Sequence, residues 1–166
     1  MAPHDALALL AAAPTMTLAG IVDGAPVLRT LHGVVVGDWL AFHGAPKGEK
    51  TNLVGTKVVL GVETPLASIP SWFSDPVRAC PATTLYQAVQ VHGVVEELGP
   101  AGLRAAVLAQ LMQKLQPEGG YLPIATDEPA AWREYQAAVM GLMIAGVSLS
   151  AAETRISGKA KLGQNK

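Results

Sequence analysis

Hydrophobic and polar positions change their pattern at Pro14. Before this proline, an unbroken run of alanine and leucine over residues 6–13 predicts a helix, which the proline ends. After it, β-branched residues separated by short turns predict three strands, over residues 15–22, 25–36 and 39–43. Because the turns, Asp23-Gly24 and Gly37-Asp38, are short, the three strands are predicted to be antiparallel neighbours.

The middle of the chain alternates a glycine-rich loop with longer apolar segments. Residues 44–48 are predicted to form the loop, and residues 49–54 a short helix of about two turns. The nearly continuous apolar segment 57–63 predicts a central strand that is covered on both faces. Residues 83–98 predict another long strand.

A proline-rich stretch separates these two long strands. Residues 64–81 contain four prolines, which predicts an irregular excursion loop rather than regular structure. The loop carries Trp72 and Phe73, and we expect these aromatic side chains to dock on another part of the molecule.

Helical periodicity appears in the second half of the chain. Residues 101–115 predict an amphipathic helix with one apolar face, formed by Leu103, Val107, Leu108, Leu111, Met112 and Leu115. Residues 129–140 predict a second helix, with its proline in the first turn. A final strand over residues 142–156 and a basic tail over residues 157–166 complete the prediction.

Together these elements predict a mainly β fold with flanking helices. About six mostly antiparallel strands, several of them long, close most naturally as a small barrel. No linker or charge run divides the chain, so we expect a single domain over residues 1–166, with an N-terminal helix inside residues 1–14.

Composition narrows the class of protein. Half of the 166 residues are hydrophobic but only 5% are aromatic, so valine, leucine and alanine must form most of the core. A formal net charge of −1 argues against nucleic-acid binding. The uncharged residues 137–152 form a stretch of 16 residues that glycine and serine interrupt, against the ~20 predominantly apolar residues of a membrane span, so we expect a soluble cytoplasmic protein. The single cysteine, Cys80, excludes an internal disulfide and a thiolate zinc site, and we expect it to serve packing.

One segment has the chemistry of an anion site. A predicted strand ends at His43-Gly44, and a glycine-rich loop then leads into a short helix that carries Lys50 and Thr51. Backbone N–H groups beside glycine, a helix N-terminus and the charges of Lys47 and Lys50 all suit a phosphate. The spacing is not that of a P-loop, and a solvent-exposed loop with ordinary lysines is the alternative. Glu49 argues against an anion unless its side chain points to solvent or caps the helix.

Other polar side chains supply further candidates. Arg29 lies in an otherwise apolar strand that we interpret as central, where burial would require it to meet an anion; the alternative is an arginine near the strand's edge that reaches water. His32, His43 and His92 fall on or beside strands without the spacing of a metal-ligand pair, and we expect no metal site. Residues 155–166 hold four of the twelve basic residues and no acid, which also fits a solubilising tail.

The order and spacing of several segments resemble a known family. They are similar to the FMN-binding core of the pyridoxamine 5′-phosphate oxidase-like split-barrel flavoproteins, and most similar to its small flavin-nucleotide-binding group. The C-terminal segments resemble the PaiB-like flavin-binding regulators. The flavoprotein resemblance is carried by residues 26–31, 38–44, 48–50, 52–53, 80–84 and 86–93, and the PaiB-like resemblance by residues 114–119 and 158–165.

This resemblance implies a six-stranded antiparallel split β-barrel that forms a homodimer with FMN at the subunit interface. It implies that Arg29 and Lys50 hold the phosphate. The remaining implied cofactor contacts are His43, Gly44 and Thr51 beside the phosphate, Thr30 and Leu31 along the isoalloxazine edge through their backbone, Gln87 at the ring, and Lys159, Lys161 and Gln164 at the flavin or the partner subunit. Ala88 stands where the family's serine would contact the flavin.

The function that the resemblance implies is a flavin-dependent oxidoreductase of unknown substrate. Two alternatives stay open: a non-enzymatic FMN-binding regulator of the PaiB-like type, and a dimeric barrel without cofactor, which the alanine at position 88 leaves open. Pyridoxamine phosphate oxidation itself is not expected. The namesake oxidase grips its substrate with C-terminal arginines, whereas Arg155 is the only arginine after Arg133 here.

Overall fold

The computed structural model describes residues 1–121, 124, 133–134 and 142–163, which form two antiparallel sheets and two α-helices. The helices are α1 (Pro3–Ala12) and α2 (Ala101–Leu115). The strands are β1 (Met16–Val22), β2 (Ala25–Leu31), β3 (Gly33–Val36), β4 (Trp39–Gly44), β5 (Lys57–Ile69), β6 (Thr83–Val94), β7 (Glu96–Glu97), β8 (Met143–Ser148) and β9 (Arg155–Lys161). Short 3₁₀ helices span Glu49–Leu53 and Ser71–Phe73.

The sheets have five and four strands, in the orders β2-β1-β5-β6-β9 and β3-β4-β8-β7. Their inner faces enclose one core, in which Leu18 and Leu60 of the larger sheet pack with Leu40, Phe42 and Val147 of the smaller. The prediction of a mainly β barrel with flanking helices is therefore confirmed. The described residues contain nine strands rather than six, because some predicted strands are divided between the sheets.

Residues 25–36 were predicted as one strand, and this is wrong. β2 ends at Leu31 in the five-stranded sheet, and β3 begins at Gly33 in the four-stranded sheet. A Cβ on Gly33 would lie 1.5 Å from the Met16 terminal methyl group, so a side chain at the crossing point would require the buried Met16 side chain to move. The apolar pattern continues through the crossing, which is why the sequence did not reveal it.

Similar corrections apply to the other long strands. Residues 83–98 divide at Val95, between β6 and β7. Residues 142–156, predicted as one strand, form β8 and the start of β9 with a connection at 149–154. β9 takes in half of the predicted basic tail and pairs with β6. The predicted helix over residues 129–140 lies outside the described residues except for 133–134.

The predicted loop over residues 64–81 is also wrong in part, because β5 continues to Ile69 and pairs with β6 throughout. A shift in register between Pro65 and Ala67 accommodates the proline, which cannot donate a ladder hydrogen bond. Trp72 and Phe73 do not dock on the core. Their rings stack on each other with centroids 4.5 Å apart, and the residues are 64% and 68% exposed.

Several local predictions are confirmed. The amphipathic helix has the predicted bounds, a short helix follows the glycine-rich loop, and the turns at residues 23–24 and 37–38 join antiparallel strands. The N-terminal helix begins at Pro3, three residues before the predicted start. None of the helices in the described ranges is long and apolar enough to span a membrane.

α2 covers the four-stranded sheet and leaves the larger sheet open. Val107, Leu108 and Leu111 of the helix belong to a second apolar cluster that includes Val34 and Ile144 of the sheet. The sheet opposite has no such cover among the described residues. β5 is central, as predicted, but its side chains are buried only on the inner face. We call the opposite side of the five-stranded sheet the outer sheet face.

Candidate functional site

The glycine-rich segment forms a tight turn between β4 and the 3₁₀ helix. Gly48 has φ +86°, a left-handed conformation that favours glycine. The backbone N–H and the hydroxyl of Thr51 both donate to the Gly48 carbonyl, at 3.0 and 2.8 Å. We call residues 44–51 the cationic turn, because Lys47 and Lys50 lie within it.

Lys50 lies in the space above Gly44 and is held in this turn by a hydrogen bond. Its Nζ donates to the Lys47 carbonyl at 2.6 Å, and the side chain is half-buried. A Cβ on Gly44 would lie 2.7 Å from the Lys50 Cε. The glycine at the end of β4 therefore provides the space in which the lysine stem lies.

Arg29 lies beside the cationic turn and contacts it through Glu49. The guanidinium forms an ion pair with the Glu49 carboxylate and donates to the Leu28 carbonyl at 2.6 Å. The interpretation of Arg29 as part of a central strand is wrong, because β2 is the edge strand of its sheet and the residue is exposed. The edge position removes any need for an anion to offset burial. It also makes the guanidinium accessible to a ligand.

His43 lies immediately before Gly44 and has a partly buried ring. Burial, followed by the nearby His32, lowers the pKa of His43 below 6.5. The imidazole is therefore neutral at pH 7 and adds no charge to the turn. Its Nδ1 is buried and has no hydrogen-bond partner among the described residues.

Thr30 and Leu31 are the other two residues of β2 that were predicted to contact the flavin, and they lie on opposite faces of the strand. Side chains alternate along a strand, so Thr30 points to the outer sheet face while Leu31 points to the barrel core, where it packs. Thr30 lines a cavity of about 560 Å³ on the outer sheet face. Gly61 and Ala88 form part of the floor of this cavity, and Thr17 and Gln90 contribute polar groups.

A second cavity, of about 760 Å³, continues along the same face and shares Ala19 and Val59 with the first. Ile21 and Leu28 lie along it and are 57% and 63% exposed. The outer sheet face is thus a continuous surface that combines two cavities with exposed apolar side chains.

The C-terminal lysines lie on β9 rather than in a free tail. Lys159 pairs with Ala88 across the strands, and its Nζ is 5.6 Å from the centre of the Tyr86 ring. Lys161 donates to the Thr83 hydroxyl. These lysines belong to the opposite edge of the sheet from β2, so they are not grouped with Arg29.

Gln87 and Gln164 are the last two residues that were predicted to contact the flavin or the partner subunit. Gln87 is half-buried and pairs with Thr64 and Ala160. Gln164 lies outside the described residues. The structure thus brings Arg29, Gly44, Lys50 and Thr51 to one region.

Sequence reasoning missed the residues that line the cavities. Thr17 and Ala19 of β1, and Val59 and Gly61 of β5, lie two positions apart, which places each pair on one face of its strand. The cavities could have been predicted from one signal in the sequence, which is the small or polar residue at every second position of neighbouring strands. The ion pair of Arg29 with Glu49 could not be found in this way, because its partners are 20 residues apart.

Comparisons with known proteins identify the family. The family model described as pyridoxamine 5′-phosphate oxidase matches residues 3–148. No curated protein sequence matches the chain. The fold is similar to an FAD- and haem-binding protein from Mycobacterium smegmatis, with a TM-score of 0.71 and 18% identity over 99% of this chain and 74% of that chain.

Two further solved structures agree with this fold. The flavocytochrome Anf3 from Azotobacter vinelandii has a TM-score of 0.71 and 18% identity, over 99% of this chain and 70% of that chain. An FAD-binding protein from Mycobacterium smegmatis has a TM-score of 0.55 and 14% identity over 96% of both chains. With most of its length matched by the family model and its two sheets closed as a split barrel, the chain belongs to the pyridoxamine 5′-phosphate oxidase-like family.

Proposed function

We propose that this protein binds FMN, with the phosphate held by Arg29 and Lys50 at the cationic turn, and that it is a flavin-dependent oxidoreductase. The observation that carries the proposal is the placement of both cations, from separate strands and turns, around one tight glycine-containing turn. Solved structures of this fold include FAD-binding proteins, which supports a flavin as the ligand class.

The residues of the turn fit a phosphate group. An exposed guanidinium offers paired N–H donors, and Lys50 adds a second full charge that is already oriented by its bond to Lys47. The Thr51 hydroxyl lies in the same turn, where it donates to the Gly48 carbonyl. A terminal phosphate at this place would therefore meet charge and hydrogen-bond donors from two directions.

The outer sheet face fits a planar ring. Gly61 has no side chain and Ala88 has only a methyl group, so a flat group can lie close to the strands. The space above Gly61 is open, because a Cβ built there meets only the Val89 carbonyl oxygen within 4 Å, at 3.9 Å. Arg29 and Thr30 point to opposite faces of β2. A ligand that contacts both passes around the edge of this strand, where backbone groups can bond to the pyrimidine side of a flavin.

We further propose a homodimer that buries the outer sheet face, as the family resemblance implies. Exposed Ile21 and Leu28 beside two cavities form the kind of apolar surface that soluble proteins cover with a partner. Sedimentation velocity tests this directly. We expect a dimer for the natural chain and a monomer for Leu28→Asp, whereas a monomeric natural chain would refute the proposal.

A bound flavin would supply the redox chemistry by accepting and returning electrons, and the protein would supply binding and orientation. Turnover with a reduced nicotinamide donor and an electron acceptor tests the enzymatic role. Flavin binding without turnover for any donor and acceptor would instead indicate a regulator.

Titration with FMN and riboflavin tests the binding proposal. We expect Arg29→Gln and Lys50→Met each to weaken FMN binding by about 1.5–3 kcal/mol, the scale of a charge-assisted hydrogen bond, and to leave riboflavin binding unchanged. Arg78→Gln is a matched control, because Arg78 is an exposed arginine with its own carboxylate partner, Asp75. Equal FMN affinity in all three variants and the natural chain would refute the phosphate assignment.

A further inference from the structure

We propose that Glu49 is a specificity-determining residue of the flavin site, because its carboxylate competes with the flavin phosphate for Arg29. This inference rests on the flavin binding proposed above. It assigns to Glu49 a selection between flavins according to the charge on the phosphate.

The contacts of Arg29 define the competition. One terminal nitrogen of the guanidinium donates to the Glu49 carboxylate, and the other donates to the Leu28 carbonyl at 2.6 Å. A phosphate binds a guanidinium best through two parallel N–H bonds. A phosphate that binds in this way must displace the carboxylate or share the guanidinium with it.

Glu49 also sets the charge of the surrounding turn. It is the only acid within residues 44–51 and directly precedes Lys50. Its repulsion of a ligand grows with the charge of the approaching phosphoryl group. The terminal phosphate of FMN carries nearly two charges at neutral pH, since its second pKa is about 6, whereas each diester phosphoryl group of a flavin dinucleotide carries about one. Riboflavin carries none.

Exposure limits the size of the effect. The side chains of Arg29 and Glu49 are 43% and 58% exposed, so water screens their interaction. An exposed pair of this kind changes an equilibrium by a small factor. We therefore expect Glu49 to lower FMN affinity by about two- to fivefold.

The experiment is an equilibrium titration of the full chain with FMN, FAD and riboflavin, followed by flavin fluorescence. We expect Glu49→Gln to raise FMN affinity by about two- to fivefold, to raise FAD affinity by a smaller factor, and to leave riboflavin affinity unchanged. Glu118→Gln, which removes an exposed carboxylate elsewhere, should change none of the three. Thermal unfolding confirms that each variant is folded.

A second variant separates competition from general repulsion. In an Arg29→Gln background, Glu49→Gln should give a smaller gain in FMN affinity, because there is no guanidinium left to release. A natural chain that binds FMN with the same or higher affinity than Glu49→Gln overturns this inference alone. A natural chain and a Glu49→Gln variant that bind none of the three flavins overturn both this inference and the proposed function.

Discussion

The substitution Gly44→Ala tests how the fold positions Lys50 without changing any charge. The new Cβ would lie 2.7 Å from the Lys50 Cε and 3.6 Å from its Nζ. Carbon atoms in contact prefer a separation of about 3.5–4.0 Å, so the lysine stem must move by about 1 Å. The present bond from Nζ to the Lys47 carbonyl is 2.6 Å long, and such a displacement would break it.

Gly44→Ala should lower the affinity for the ligand and leave the free energy of unfolding nearly unchanged. Lys50 is only half-buried and its head group can swing into solvent, so the free energy of unfolding should change by less than about 1 kcal/mol. A phosphate that met the displaced ammonium would lose part of a charge-assisted hydrogen bond. We expect a loss of about 1.4 kcal/mol, which is about tenfold in FMN affinity.

Fluorescence titration with FMN and riboflavin measures this loss, and urea unfolding measures stability. Gly99→Ala is the matched control, because a Cβ there meets nothing within 4 Å. In a Lys50→Met background, Gly44→Ala should have no further effect on FMN affinity. Unchanged FMN affinity in the single variant, or an equal loss for riboflavin, would refute the reasoning.

Two further predictions concern stability. Gly146→Ala should destabilise the fold by about 2 kcal/mol in urea unfolding, because its Cβ would lie 2.7 Å from the backbone oxygen of Leu40, which cannot rotate away; stability equal to the natural chain's would contradict this. Because the pKa of His43 is lowered in the fold, the unfolded chain binds more protons below about 6.5, and the free energy of unfolding should fall as pH falls through this value. His43→Gln should flatten this dependence and His4→Gln, an exposed control, should not; identical slopes would contradict the assignment.

Much of the fold follows from local pattern. The turn at residues 23–24, the apolar face of α2 and the stop at Pro14 each have a local cause, and the structure agrees with them. The places where the chain leaves one sheet for the other do not follow from local pattern. The alternation of side chains continues through Gly33 and Val95, and only contacts with distant residues, such as Met16 with Gly33, fix the crossings.

In the candidate site too, some features follow from the local sequence and others depend on contacts between distant residues. Glycine and lysine between β4 and the next helix predicted a cationic turn, because that chemistry is contiguous in sequence. The edge position of Arg29 and its ion pair with Glu49 depend on the order of strands in the sheet, which the sequence pattern does not specify. The cavities on the outer sheet face likewise need three strands to be aligned.

A crystal structure of the protein grown with excess FMN tests the central claim most directly. We expect the flavin phosphate to lie about 2.7–3.0 Å from the guanidinium of Arg29 and from the Nζ of Lys50. A phosphate bound elsewhere, for example at Lys159 and Lys161 on β9, or no flavin bound at all, would contradict the claim.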